Sequence, residues 1–186
     1  MSLKSINSIY SNIDDNDNDN DNDNELNNNK IIKVGVSLLL HNDKYPNCIL
    51  LGERKGSHGA GTLAPPGGHM EFGEHYFTTA IRELKEETNL DIVENNIKFL
   101  TITNDIIDDR HYITIFLSVC IENVDNLKLC EPDKCVSWNW IDFKLDINAY
   151  DKELFLPMKN LIEFLKINKD YLRKNLLHNK SSINSL

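Results

Sequence analysis

From residue 31 onward, apolar positions recur in short blocks with two different periods. "KVGVSLLL" (33–40) and "NCILLGER" (47–54) are rich in Val, Ile and Leu and are separated by the turn-like "HNDKYP". Their length and composition predict two strands that pair with each other. "GSHGAGTLAPPGGHMEFGE" (56–74) interrupts the pattern, and Pro65 and Pro66 exclude a helix interior there. Beyond it Phe77, Ala80, Ile81, Leu84 and Thr88 recur at three and four, which predicts a helix over about 75–88 with those residues on its core face. "NIKFLTIT" (96–103) and "HYITIFLSVCI" (111–121) read as strands, the second long and central, and "CVSWNWIDF" (135–143) alternates as another. "LPMKNLIEFLKI" (156–167) closes the series as a helix, with Pro157 suited to its first turn and Met158, Leu161, Ile162 and Leu165 facing the core. Interleaved strands and helices give an α/β or α+β class, with helices packed on a mixed sheet.

Composition sharpens the boundaries. The 186-residue chain has a formal charge of -9, but residues 1–29 hold six Asp and Glu25 against Lys4 alone. The acidic balance therefore describes mostly the "SNIDDNDNDNDNDNELNNN" tract, whose lack of apolar surface predicts a disordered tail. The tract lacks the glycine bend and terminal glutamate of a calcium loop. Residues 30–170 are the right length for one domain with a substantial core, and 171–186 form a C-terminal tail. No apolar run approaches the ~20 residues that span a bilayer, and "MSLKSINSIY" has no apolar signal region, so no membrane partner is expected. Cys48, Cys120, Cys130 and Cys135 show no metal-binding spacing, which predicts buried reduced thiols in a cytoplasmic protein.

The predicted first helix carries an unusual charge pattern in "RELKEETNL" (82–90). At about 100° per residue, Glu83, Glu86 and Glu87 share an arc bordering the apolar stripe, while Arg82 and Lys85 fall on the opposite flank. Like charges one turn apart repel, more so near a core. A solvated acidic face accounts for the arc, and so does a hard divalent cation bound by oxygens alone. The preceding "PPGGHMEFGE" brings glycines that let backbone run close to a ligand. A phosphate chain bridged by metal to the carboxylates fits such a loop and helix.

"GHMEFGEHYFTTAIRELKEETNL" resembles the Nudix box, with Gly68, Glu74, Arg82, Glu83, Leu84, Glu86, Glu87 and Leu90 all in register. Asn89 stands where the pattern has glycine, and Asn is the next most tolerant residue of a left-handed cap. "ILLGERKGSHGAGTLAPPGGHMEFGE", "HYITIF" and "EPDKCVSWNW" extend the similarity over roughly residues 33–165, toward the MutT-like branch of nucleoside-triphosphate diphosphatases. The resemblance implies an α/β/α sandwich with a mixed sheet, a Mg²⁺ or Mn²⁺ cofactor, a nucleotide substrate, no stable nucleic-acid partner and often a homodimer.

It also implies roles. Glu83 and Glu87 match the main metal ligands, and Glu86 matches a further ligand or the group that orients water. Gly68 would offer its carbonyl to metal, and Arg82 would hold the Glu83 carboxylate. Glu74 matches the box glutamate at the helix start. Arg54, Gly67 and Thr114 are the candidate substrate contacts, although Arg54 also fits a solvated "ERKG" turn and Thr114 an ordinary strand position. His69 and His75 are not needed as ligands. Leu156 and Pro157 stand where the branch leads one to expect a tryptophan and a glycine at the base pocket, and Ala64 where it has a glutamine. The reaction implied is hydrolysis of a nucleoside triphosphate, possible substrates including oxidised guanine nucleotides, to monophosphate and pyrophosphate. Nucleotide sugars, dinucleotides, capped RNA or simple nucleotide binding are the alternatives.

Overall fold

The computed structural model describes residues 31–56 and 58–170. The expectations for the 1–29 tract and the 171–186 tail lie outside these residues. Among the described residues seven strands and two α-helices follow in the order β1 (Ile32–His41), β2 (Cys48–Arg54), β3 (Leu63–Ala64), β4 (Gly67–His69), α1 (Tyr76–Thr88), β5 (Lys98–Ile107), β6 (Arg110–Cys120), β7 (Cys135–Asp142) and α2 (Leu156–Ile167). The architecture is the expected α/β/α sandwich, with a mixed sheet of order β4-β1-β6-β5 and a second, antiparallel sheet of order β3-β2-β7.

Alternation along β1 explains the layers. Val36, Leu38 and Leu40 pack with Ala80 and Leu84 of α1, whereas Leu39 packs with Met158, Leu161, Ile162 and Leu165 of α2. β2 divides the same way, with Leu50 toward α1 and Ile49 and Leu51 toward α2. Successive strand side chains point to opposite faces, so strands covered by a helix on each side read as unbroken apolar runs. That is why "KVGVSLLL" and "NCILLGER" do not alternate.

The expected pairing of β1 with β2 is wrong. β1 pairs parallel with β6, from Ile32 against His111 to His41 against Cys120, and antiparallel with β4. β2 pairs with β3 and β7 in the other sheet. The intervening loop does not close a hairpin because Asn42, itself buried, donates from Nδ2 to the carbonyls of Ile121 (2.6 Å) and Glu122 (3.2 Å). Its side chain ties the end of β1 to the end of β6, and apolar runs alone do not specify which strand is the neighbour.

Other departures are local. β5 runs to Ile107, beyond the expected end at 103, and a bulge between Phe99 and Thr101 shifts its register on β6. β3 and β4 arise inside the Gly/Pro segment, where no hydrophobic alternation announces them. Of the four thiols, all free, Cys135 is buried, Cys48 and Cys120 are half-buried, and Cys130 is exposed, contrary to the expectation of burial. Among the described residues no helix is long and apolar enough to cross a membrane.

Candidate active site

The site is assembled from α1 and from β4, the three-residue strand before it. His75 caps α1, its Nδ1 accepting from the Phe77 amide at 3.3 Å. At the other end Asn89 takes the left-handed conformation (φ 59°, ψ 13°) and donates to the Lys85 carbonyl, so the residue that replaces glycine still ends the helix. The final turn is anchored from outside as well. Cys130 N and Trp138 Nε1 both donate to the Glu87 carbonyl, at 3.1 and 3.3 Å, and Lys128 N donates to Thr88 O.

β4 meets this helix at its glycines. Gly67, at φ 153°, pairs with Ser37, and a Cβ there would lie 2.1 Å from the Val36 carbonyl. A Cβ on Gly68 would lie 2.2 Å from Glu83 Oε1. At Gly67 the clash is with backbone and has no easy relief, whereas at Gly68 the Glu83 carboxylate would have to swing aside, so the absence of side chains lets the strand lie against the helix carboxylates. The Gly67 amide donates to Glu87 Oε2 at 2.9 Å.

Arg82 corrects the flat helical projection. Its Nε and Nη2 grip the two oxygens of Glu74 (2.8 and 3.0 Å), Nη1 reaches Glu83 (2.9 Å) and Glu86 (3.2 Å), and Nη2 also meets the His69 carbonyl (3.1 Å). The guanidinium is long enough to curl from its flank onto the acidic arc. Glu74 also accepts from Thr79 and from the Glu71 amide. Arg82 and these donors hold its carboxyl down at about 2.

The three glutamates are therefore in unlike states. Glu86 is half-exposed and paired with Arg82. Burial pushes the Glu83 carboxyl up, and Arg82 offsets part of that. Glu87 is pushed up to about 8, chiefly by burial and then by Glu83 and Glu131, against the opposing pull of the Gly67 amide and Arg54. Among the described residues no three acidic, His or Cys side chains converge closely enough to hold an ion as they stand. The donor set nevertheless suits a hard cation: carboxylates, a glycine strand lying against them, and a buried acid whose charge has no ion-paired partner of its own.

Glu83, Glu87, Gly67, Gly68, Arg54 and Thr114 open on one cleft of about 480 Å³. Glu86 and Arg82 are not among its lining residues and flank it from outside. Arg54 is no solvated turn residue: its guanidinium lies 4.2 Å from the Phe155 ring centroid, and Nε donates to the His58 carbonyl. Lys134, paired with Glu131 at 2.7 Å, adds a second cation facing Glu83 and Glu87. His69 lines the cleft with its ring stacked on Tyr112. Of the base-pocket positions, Ala64 and Pro157 line the cleft and Leu156 does not. Lys134, Tyr112 and Phe155 were missed by sequence reasoning. Lys134 sits inside "EPDKCVSWNW", where a segment similar to other proteins gave no reason to single it out.

The chain matches the NUDIX domain over residues 32–155. It belongs to the Nudix family. Solved Nudix structures share the fold at low identity. The MutT NUDIX hydrolase of Burkholderia pseudomallei is 20% identical, with a TM-score of 0.61 over 72% of this chain and 97% of that one. The Ap4A hydrolase of C. elegans, solved as a binary complex, is 20% identical, with a TM-score of 0.55 over 74% of this chain and 98% of that one. A bifunctional NMN adenylyltransferase/ADP ribose pyrophosphatase of Francisella tularensis, complexed with AMP and a Mn ion, is 22% identical, with a TM-score of 0.58 over 75% of this chain and 42% of that one.

Proposed function

We propose that this Nudix protein hydrolyses nucleoside triphosphates to the monophosphate and pyrophosphate, with Mg²⁺ or Mn²⁺ as cofactor. The mixed lining of the cleft carries the reading. Carboxylates Glu83 and Glu87, glycines 67 and 68 and the cations Arg54 and Lys134 line it together with Ile107, Phe116, Pro157, Met158 and Thr114. The register places His69, Gly35 and Thr114 side by side on β4, β1 and β6. Two strand spacings, about 10 Å, thus separate the glycine strand from Thr114, a fit for phosphates at one end and a base at the other. Gly35 leaves the floor between them without a side chain.

The metal would be held by Glu83, Glu87, Glu86 and the Gly68 carbonyl, and when bound it supplies neutralisation of phosphate charge and an acidified water. The chain's own contribution is placement. Arg82 orients Glu83 and Glu86 through one guanidinium, itself fixed by Glu74. Arg54, with its planar face against Phe155, and Lys134 offer positive charge to phosphate oxygens. Little covalent chemistry is asked of the protein in phosphoryl transfer, in keeping with the lack of a required Ser or Cys nucleophile.

Steady-state kinetics on dGTP, its 8-oxo form, dATP, dCTP and dTTP, with ADP-ribose and Ap4A as comparisons, test the reading. Ala64 and Pro157 offer neither an aromatic stacking surface nor, at Pro157, a backbone N–H. Each missing contact removes ~1 kcal/mol or more of discrimination, so all five triphosphates are expected to be cut with less than about tenfold preference. Turnover of ADP-ribose or Ap4A alone would overturn the triphosphate reading, and a hundredfold preference for one base would overturn the weak selectivity.

A further inference from the structure

Behind Thr114, which lines the cleft, lies a buried acid that the proposed chemistry does not use. Asp105 of β5 has no solvent exposure. Its Oδ2 accepts from Thr103 Oγ1 at 2.8 Å and from Thr114 Oγ1 at 2.6 Å, and its Oδ1 accepts from Asn160 Nδ2 of α2 at 2.7 Å. Burying a carboxylate among neutral donors is costly, and an apolar residue would join β5 to α2 as well. Its placement has a consequence for Thr114.

We infer that Asp105 turns Thr114 into an acceptor-only contact, so that the cleft wall selects a nucleobase presenting an N–H donor, amino or imino. The inference rests on the nucleotide reading above. A hydroxyl has one proton to give, and a carboxylate has none. Both threonine protons therefore point at Asp105, and the Thr114 oxygen keeps only lone pairs for any other partner. Thr114 and Gly35 both line the cleft, and a carbon at the Cβ position of Gly35 would lie 3.9 Å from Thr114 Oγ1 and 3.8 Å from the Gly68 carbonyl oxygen. The negative charge behind the hydroxyl strengthens it as an acceptor, because hydrogen bonds in a chain polarise one another where water is excluded. Asn160 fixes the far oxygen of Asp105 and so holds the carboxylate plane. Asp105 and Asn160 are positioning residues, and Thr114 is the contact.

Calorimetric binding of GMP and of purine riboside monophosphate, which has no N–H donor on its base, tests this on the full chain with chelator present. Leaving a buried acceptor unpaired weakens binding, so wild type is expected to bind GMP about tenfold more tightly. Thr114→Val should abolish that preference, Thr114→Ser should restore most of it, and Asp105→Asn should lose it because an amide can donate to Thr114 and consume its lone pair. With the corresponding triphosphates the loss should appear in KM rather than kcat. Equal weakening of both nucleotides in Thr114→Val and Asp105→Asn, or no weakening of either, overturns the inference. Should Asp105→Asn fail to fold, as judged by circular dichroism, the Thr114 pair decides alone. A preference for GMP without triphosphate hydrolysis would uphold this inference and sink the proposed reaction; hydrolysis with no GMP preference would do the reverse.

Discussion

Glu87 offers the sharpest test of the site, because its chemistry can be read without a substrate. Its carboxyl lies at about 8 against an ordinary 4.5, raised by burial and by Glu83 and Glu131. At ~1.4 kcal/mol per pH unit this corresponds to roughly 5 kcal/mol as a ceiling. The sign follows from linkage. A group whose pKa is raised on folding favours the folded state below the unfolded pKa of 4.5, and that advantage is lost as pH rises through about 8. Glu87→Gln keeps the size and the acceptor that meets the Gly67 amide, and it removes the titration. Metal-free wild type and variant should therefore melt together near pH 4.5, and the variant should be the more stable at pH 9. Even ~2 kcal/mol of the ceiling moves the midpoint of a domain this size by roughly 6 °C. The assay is thermal unfolding in chelator across pH 4.5 to 9, and parallel curves for the two proteins would refute the buried-acid argument. With Mg²⁺ the same variant should lose hydrolysis by about a hundredfold or more, as expected when a ligand of a catalytic ion is removed.

Glu83→Gln should lose activity comparably but should not gain stability, because Glu83 accepts from Arg82 at 2.9 Å; a rise in its metal-free melting temperature matching that of Glu87→Gln would contradict the pairing. Gly68→Ala should lower the rate more than the melting temperature, since its Cβ would fall 2.2 Å from Glu83 Oε1 and displace that carboxylate; an unchanged rate in paired melting and kinetic assays would show that the place of Glu83 does not matter to the reaction. Deleting residues 1–29 should leave rate and melting temperature nearly unchanged, given a tract with almost no apolar surface; loss of more than half the activity would assign it a role.

How much of this could be read from the sequence follows from the range of each interaction. The span of α1, its cap at Asn89 and the buried face of α2 are local, set by residues three and four apart, and they came out as expected. The assignment of β1 and β2 to different sheets depends on Asn42 meeting the end of β6, some eighty residues away, and no run of Leu encodes that. The same division holds at the site. The register of the glutamates was legible, but the projection missed the reach of Arg82 from its flank onto the acidic arc because it ignores side-chain length. It treated three carboxylates as equals, whereas burial separates Glu87 from Glu86. Asp105 and Asn160 were invisible for a different reason: a strand acid and a helix amide reveal their partnership only when α2 has packed on β5.

The bond from the Gly67 amide to Glu87 has a spectroscopic consequence. The chain contains only eight glycines, so a protein grown with ¹⁵N-glycine gives a spectrum of at most eight backbone signals. One of them, Gly67, hydrogen-bonds to a carboxylate oxygen at 2.9 Å, and charge-assisted bonds of this kind are the strong ones. That single proton should resonate downfield when Glu87 is ionised and move upfield as the carboxyl takes up a proton. A glycine placed there to keep a strand close to a helix thereby doubles as a nuclear probe of an acid that lines the cleft.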